Sequence, residues 1–409
     1  MDFLDLPEAK RLRLMNLRAP GPLLGRPGDL VATDLTIEDG RIVENDARAD
    51  EVEIDMGGRI VFPCFIDAHT HIDKGHIWAR SPNPDGTFMG ALETVGDDRR
   101  ARWTAEDVRR RADFALRCAW AHGTKAVRTH LDSSPPQEDV SWPVFRELRE
   151  DWAGCIDLQA VSLTGIDFVG DTPAWRDLAQ VVKGSGGVLG AVTYPVPDID
   201  RRLDIFFETA GTLGLDADFH VDETMDPNSA TLRAIARAIG RTGFTGKVNC
   251  GHCCSLSTQE ESVALETLDY CAGAGLSITS LPMCNMYLQD RHAGVTPRWR
   301  GVTLFKELTA AGVKTAVAVA PVGRAKDRRV ANQAAHASTE QVAQHPFLSS
   351  LSAAAPALTS PPRAGSSSSR SADYHLVVDP REQTSTWPAL TLVVTFVVML
   401  HQLLVLGFS

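Results

Sequence analysis

The sequence predicts an α/β protein, a (β/α)₈ barrel of the TIM type with a small N-terminal β-sandwich portion. Eight short apolar runs recur between residues 60 and 318, and amphipathic, helix-like segments separate them. Strands that alternate with helices in this way form parallel sheets, because each crossover helix returns the chain to the same edge. Eight such units fit the roughly 250 residues that a (β/α)₈ barrel occupies.

Each apolar run is short enough to be one buried strand, and each intervening segment is long enough to be a helix. The eight runs are Ile60–Ile66, Ala126–Leu131, Leu158–Leu163, Val188–Tyr194, Ala217–Val221, Lys247–Cys250, Leu276–Leu281 and Lys314–Ala318. The helix-like segments are Ala105–His122, Trp142–Trp152, Asp200–Leu213, Ser229–Thr242, Thr258–Gly273 and Thr303–Ala311. An open, doubly wound sheet is the alternative, but no run is followed by the Gly-x-Gly-x-x-Gly motif that would favour it.

The region before the barrel, residues 1–59, predicts a small β unit that forms part of a sandwich. Leu30–Val43 has the pattern of a hairpin, with Asp39-Gly40 at its tip. Asp-Gly is typical of tight hairpin turns, which require positive φ angles. We therefore assign residues 1–59 to the β unit and residues 60–318 to the barrel.

The composition of the chain changes after Ala318. Residues 319–386 are rich in Ala, Ser, Pro and Arg and predict a disordered segment. Residues 387–409 are largely apolar and predict a transmembrane helix, with a buried element as the alternative. Because the strand–helix alternation does not continue, the barrel is expected to be incomplete at its C-terminal end.

Composition excludes some classes of function. A formal net charge of -11 argues against a nucleic-acid surface, which needs clustered Lys and Arg. The N-terminal sequence has no basic region followed by a long apolar core, so the expected location is cytoplasmic. Reduced thiols are then the default for the eight cysteines. The sequence leaves homo-oligomerisation open.

Two histidines close the first apolar run and are the first candidate metal ligands. His69 and His71 are two residues apart, so in a strand their side chains leave the same face. The active sites of (β/α)₈ barrels lie at the carboxyl ends of the strands. His220, which closes the fifth run, is the third candidate ligand. The alternative is a set of structural core histidines.

Glu223 and His252 are the candidate catalytic residues. Glu223 follows His220 by three residues, where a strand passes into a loop. Metal-assisted hydrolysis needs one group that takes a proton from water and one that protonates the leaving group, and a single carboxylate beside the water can do both. His252 ends the sixth run and is suited to polarising the group under attack. The alternatives are a surface acid and a packing histidine.

Four further polar residues at strand ends are weaker candidates for substrate binding. His130 and Asp132 end the second run and share a face, so substrate contact, support of the ligands and structural hydrogen bonding are all open. Asn285 and Gln289 follow the seventh run and are expected to line the exit of that strand.

These residues together resemble the amidohydrolase superfamily, and within it the cytosine deaminase-like enzymes. The matching segments are Asp67-Ala68-His69-Thr70-His71, His220-Val221-Asp222-Glu223, Gly251-His252-Cys253-Cys254-Ser255-Leu256, Leu281-Pro282-Met283-Cys284-Asn285 and Leu288-Gln289-Asp290-Arg291. The resemblance implies one divalent metal ion, iron or zinc, held by His69, His71 and His220 with an aspartate. It also implies that Glu223 transfers protons and that His252 stabilises the attacked centre.

The activity that the resemblance implies is hydrolysis of a non-peptide C–N bond by metal-activated water. The expected substrate is a pyrimidine-like or related heterocyclic amine, or a cyclic amide. The expected partner is therefore a small molecule and not a nucleic acid.

The sequence departs from the family pattern at two places. The family has Ser-Asp-Asn after strand eight, whereas this chain has Val319-Ala320-Pro321, so Ala320 occupies the position of the aspartate ligand. Asp132 or Asp290 could supply the missing ligand. Ser162-Leu163-Thr164 stands where the cytosine enzymes carry a glutamine, which makes cytosine itself a poor expectation. The alternative function is a catalytically inactive amidohydrolase-like fragment, tethered to a membrane through residues 387–409.

Overall fold

The computed structural model describes residues 6–318 except residues 47, 49 and 293. The predictions for 319–386, for 387–409 and for the end of the barrel lie outside these residues. The described chain divides into two compact units, one reaching Phe62 and one starting at Pro63. Within the described range, no helix combines the length and apolar character that a membrane crossing requires.

The N-terminal unit is a four-stranded sheet with strand order β3-β2-β1-β4. Its strands are β1 (Arg11–Pro20), β2 (Leu30–Glu38), β3 (Arg41–Val43) and β4 (Val52–Asp55). β1 pairs antiparallel with β2 and parallel with β4. The predicted hairpin is present: Asp39 and Gly40 join β2 to β3 with φ angles of 49° and 75°. Two positive φ angles in a two-residue loop match the twist of the flanking strands.

The second unit contains eight parallel strands, one at each predicted apolar run, although the first strand begins only at Phe65, near the end of the run Ile60–Ile66. They are β5 (Phe65–Thr70), β6 (Thr124–Asp132), β7 (Asp157–Leu163), β8 (Leu189–Thr193), β9 (Ala217–Val221), β10 (Val248–His252), β11 (Ser277–Ser280) and β12 (Lys314–Val317). Parallel ladders join β5 to β6 to β7 and β8 through β12 in chain order. Parallel bridges Val161–Val188 and Gly165–Val192 connect β7 with β8. The predicted barrel order is therefore confirmed.

Helices follow most of the strands, as the alternation predicts. They are α1 (Phe88–Arg102), α2 (Ala105–Ala121), α3 (Glu138–Asp151), α4 (Pro173–Gly184), α5 (Ile199–Leu213), α6 (Thr231–Thr242), α7 (Glu261–Ala274), α8 (Pro282–Leu288) and α9 (Phe305–Ala310). The sequence did not predict α1, α4 or α8. Local signals nevertheless start all three, because Thr87 and Thr172 cap α1 and α4 with their hydroxyls, and proline opens α8.

The core of the second unit lies between the strands and the helices that flank them. Phe206 and Phe207 of α5 pack against Phe219 of β9, with ring centroids 4.5 and 5.8 Å apart. Successive side chains along a strand point to opposite faces of the sheet. As Phe219 faces the helices, its neighbour His220 faces the barrel interior.

Candidate metal centre

Four histidines from three strands converge at one end of the barrel. His69 lies in β5, His71 directly follows it, His130 lies in β6 and His220 lies in β9. One nitrogen from each ring can be chosen so that all four lie within 4.8 Å of one another. His71 is half-buried, and the other three are buried. The structure thus brings together the three predicted ligands and adds His130 to them.

The spacing of the ring nitrogens fits a shared cation. His220 Nε2 lies 3.1 Å from His69 Nε2 and 3.1 Å from His71 Nε2. A ring nitrogen carries either one proton or one lone pair, so His220 Nε2 cannot satisfy both neighbours by hydrogen bonding. Four ligands in a tetrahedron about zinc, with Zn–N near 2.05 Å, lie about 3.3 Å apart. The observed separations are close to that value.

The protonation of these rings also suits ligation. His71 Nδ1 lies 3.2 Å from the His130 carbonyl oxygen, which fixes the proton on Nδ1 and leaves the Nε2 lone pair free. Burial, together with neighbouring positive charge, lowers the pKa of His69, His71 and His220 well below 6.5. Neutral imidazoles are the form that binds metals. Geometry and protonation together show that these residues fit a divalent cation.

A glycine sets the position of the His69 ring. A Cβ on Gly251, in β10, would lie 2.8 Å from His69 Cε1 and 2.9 Å from His69 Nδ1. Any side chain at this position would therefore displace the imidazole. Gly251 precedes His252 at the end of the sixth strand. The sequence alone does not show that His69 packs against this residue, where no side chain fits.

A buried ion pair lies behind His130. His130 Nε2 is 3.4 Å from Asp218 Oδ1, and Arg128 Nη1 donates to Asp218 Oδ2 at 2.7 Å. Asn249 Nδ2 donates to both Asp218 oxygens at 3.1 Å. Burial lowers the pKa of His130, and the Asp218 carboxylate opposes that effect. A carboxylate behind an imidazole fixes the ring and raises its basicity, as it does behind metal-bound histidines.

Glu223, His252 and Asn285 form a compact triangle next to the histidine cluster. Glu223 Oε1 lies 3.1 Å from His252 Nδ1 and accepts a hydrogen bond from Asn285 Nδ2 at 3.1 Å. Asn285 Nδ2 is also 2.9 Å from His252 Nδ1. Gln289 Nε2 donates to the Glu223 carbonyl at 3.1 Å. Asn285 and Gln289, predicted as substrate contacts, thus hold the carboxylate and its backbone.

The His252 ring connects this triangle to the cluster. Its centroid lies 4.9 Å from that of His220 and 5.1 Å from that of His69. His252 Nε2 is buried and has no hydrogen-bond partner among the described residues. One imidazole therefore contacts Glu223 through Nδ1 and leaves Nε2 free for a bound molecule.

A tight turn supported by Asp222 places Glu223. Asp222 has φ 46°, a conformation that non-glycine residues rarely adopt, and it redirects the chain as β9 ends. Its carboxylate accepts hydrogen bonds from Ser229 Oγ at 2.6 Å, Thr231 Oγ1 at 2.7 Å and the Leu232 N–H at 3.1 Å. These bonds tie the turn to α6, so the Asp222 carboxylate fixes the backbone from which Glu223 projects.

The two aspartates considered as replacement ligands have other partners. Asp132 Oδ1 and Oδ2 pair with Lys74 Nζ at 2.7 Å and Arg99 Nη1 at 2.8 Å. Asp290 Oδ2 accepts from the backbone N–H groups of Arg298 at 2.5 Å and Trp299 at 2.9 Å. Neither belongs to the histidine cluster. For Asp132, which was also predicted to contact substrate, the immediate role is to hold two cations.

The sequence interpretation missed several residues that shape this site. Lys74 follows His71 by three residues, and its charge at a strand end was the available signal. Arg128 and Asp218 are charged residues within apolar runs, which predicts a buried partner for each but not which one. The pairing of Arg128 with Asp218 depends on two strands that are distant in sequence.

Comparisons with known proteins bear on this geometry. Residues 161–324 match a sequence model described as the amidohydrolase family. A pterin deaminase from Rhizobium rhizogenes is 53% identical over 325 residues, which cover 77% of this chain and 74% of that protein. An N-isopropylammelide isopropyl amidohydrolase from a Pseudomonas species is 24% identical over 233 residues, covering 54% of this chain and 57% of that protein.

A solved structure shares the fold. The 5-methylcytosine deaminase from Klebsiella pneumoniae, crystallised with 5-fluorocytosine, aligns with a TM-score of 0.64 and 25% sequence identity. The alignment covers 75% of this chain and 74% of that one. A likeness of this extent agrees with the (β/α)₈ fold.

Proposed function

The chain belongs to the amidohydrolase family, and from that premise we propose that it deaminates an aminoheterocycle of the pterin type. The observation that carries the proposal is the arrangement of Glu223 and His252 beside the converging rings of His69, His71 and His220. The 53% identity to a pterin deaminase supports the choice of ring. Family membership confirms the resemblance on which the sequence prediction was based.

We propose that His69, His71 and His220 hold a single divalent ion, with His130 as the fourth member of the group. An all-imidazole donor set suits zinc or iron. The ion supplies Lewis acidity, which makes water a usable nucleophile near neutral pH. Asp218 keeps the His130 ring in place, and Gly251 leaves room for His69.

The proposed reaction exchanges an amino group for an oxygen. Water adds its oxygen to the ring carbon that bears the amino group, the C–N bond breaks, and ammonia and a ring carbonyl are the products. Glu223 carries one proton from the water to the ring nitrogen, and then carries the remaining proton of the added hydroxyl group to the leaving amine. The 3.1 Å contact between Glu223 Oε1 and His252 Nδ1 holds the carboxylate beside the imidazole during these transfers.

Ammonia release from the zinc-loaded protein with pterin as substrate tests the proposal. Glu223→Gln keeps the size and hydrogen-bonding partners of the side chain but cannot transfer protons. We expect turnover to fall about 10²–10⁴-fold with metal content unchanged. Glu266→Gln, on the exposed side of α7, is the matched control. A wild-type protein with full metal occupancy and no ammonia release would contradict the proposal.

A second candidate function follows from Ala320, which stands where the family carries an aspartate. It is a protein that binds metal and heterocycle without turnover. Metal and pterin binding with no ammonia release would favour it. The cytoplasmic location, the homo-oligomeric state and the domain boundaries stay predictions from the sequence.

A further inference from the structure

Lys74 is a partly exposed cation at the mouth of the proposed active site. It lies three residues after His71, and 22% of its side chain is exposed. Asp132 Oδ1 accepts from its ammonium at 2.7 Å, while Arg99 occupies the other Asp132 oxygen. Asp132 is itself anchored, because its backbone N–H donates to Asp73 Oδ2 at 2.8 Å. The lysine is therefore held in place at its tip.

The position of Lys74 follows from the strand ends around it. Its partner Asp132 is the last residue of β6, two residues after His130. His71, three residues before Lys74, contacts the His130 carbonyl oxygen through Nδ1 at 3.2 Å. The ammonium therefore lies at the strand ends where the histidine cluster converges, beside the proposed substrate position.

The Lys74 ammonium has N–H groups that its contact with Asp132 does not use. It carries three N–H groups, and Asp132 is its acceptor among the residues that the structure describes. Arg99 is less suited to contact a ring, since it belongs to the last turn of α1 and pairs with Asp132 Oδ2, whereas Lys74 pairs with Oδ1. Its position supports the carboxylate that holds Lys74.

We propose that Lys74 donates a hydrogen bond to the ring carbonyl oxygen of the substrate, and so selects 2-amino-4-oxo heterocycles over rings without that oxygen. The inference rests on the proposed deaminase function. When water adds at the carbon that bears the amino group, electron density moves onto the ring nitrogen and the conjugated carbonyl oxygen. A charged donor at that oxygen stabilises the developing charge.

Kinetics with two substrates test the role of Lys74. Pterin carries the 4-oxo group, and 2-aminopteridine lacks it. Lys74→Met should lower kcat/KM for pterin about 10–100-fold, the range for a lost hydrogen bond to a charged group. It should change the value for 2-aminopteridine far less, so the preference for pterin collapses. Lys74→Arg should restore part of that preference.

A matched control lies at the start of β6, the strand that ends at Asp132. Lys125, with 27% of its side chain exposed, donates to the carbonyls of Gly154 and Cys155 at 3.2 Å. Lys125→Met should leave the ratio of the two substrates unchanged. Zinc content and thermal midpoint, measured on every variant, establish that each one folds and carries metal.

The outcomes separate this inference from the proposed function. Equal loss on both substrates in Lys74→Met, with zinc retained, would overturn the role of Lys74 and leave the deaminase intact. If the wild type released no ammonia, calorimetric binding of pterin and 2-aminopteridine to the zinc-loaded protein would test whether Lys74 selects the ring with the 4-oxo group. An equal affinity ratio in wild type and Lys74→Met would overturn the inference, and loss of a pterin preference in the variant would support it. If Lys74→Met failed to fold, Lys74→Gln would take its place in both measurements.

Discussion

The substitution Gly251→Ala perturbs the proposed metal centre through a single contact. Gly251 lies in β10, away from the ring nitrogens that would bind the ion, and it carries no chemistry of its own. Adding one methyl group places a Cβ 2.8 Å from His69 Cε1. The backbone carbonyl of Phe219 is 3.5 Å from that Cβ, so the methyl group meets protein on a second side as well.

The size of the effect follows from the overlap. Carbon atoms in contact lie at least about 3.5 Å apart, so the ring of His69 or the strand must move by about 0.7 Å. Metal–ligand distances tolerate only about 0.2 Å. We expect metal affinity to fall about 10–100-fold, as it does when groups that orient a ligand are changed. Overpacking also costs about 1–3 kcal/mol of folding free energy.

Competition with a chromophoric chelator measures zinc affinity directly and does not depend on turnover. Gly240→Ala is the control, because a Cβ there has no neighbour within 4 Å and the residue lies inside α6. That variant should bind zinc as the wild type does. Wild-type zinc affinity in a folded Gly251→Ala protein would refute the assignment of His69 as a ligand whose position Gly251 sets.

Two further predictions concern pH and the turn beside Glu223. The pKa values of His69, His71 and His220 lie well below 6.5, so each ring contributes stability that is lost as the pH falls below that value. The raised pKa values of Asp67 and Asp73 act in the opposite direction, so the effect is measured as a difference between metal-free wild type and His220→Gln. The urea stability of the wild type relative to the variant should fall between about pH 7.5 and about pH 5.5, and a constant difference would contradict this. Asp222→Asn weakens the hydrogen bonds that fix the turn before Glu223. The value of kcat should therefore fall about tenfold while the zinc content stays the same, and an unchanged kcat would count against this positioning role.

The fold could be predicted from the sequence because barrel strands are buried on both faces. Such strands appear as short continuous apolar runs, and each of the eight runs overlaps a strand of the structure, the first of them only at Phe65 and Ile66. The helices were harder to predict. α1 lacks a clear apolar stripe, as Met89 and Leu92 are 59% and 51% exposed, and α8 has seven residues, too few to show a period.

The candidate site could be predicted only in part. His69, His71 and His220 were recognisable because histidines that end apolar runs lie at one edge of a parallel sheet. The proximity of His130 to them depends on the register between β5 and β6, which shifts between Asp67 and Thr70. The pairing of Lys74 with Asp132 joins the segment after β5 to the end of β6. Residue type predicts that each charge needs a partner, but only the fold determines which partner it has.

The histidine cluster and Glu223 meet two different requirements, one for groups that stay neutral and one for a group that exchanges protons. Ligand histidines must stay neutral, and burial among other imidazoles keeps them so. A proton-transfer group must instead exchange protons, which requires hydrogen-bonding partners of its own. Glu223 meets that requirement through His252 and Asn285. His220 and Glu223 are joined by the turn at Asp222, so one strand end supplies both a proposed ligand and the proposed proton carrier. The left-handed conformation at Asp222 turns the chain between these two positions.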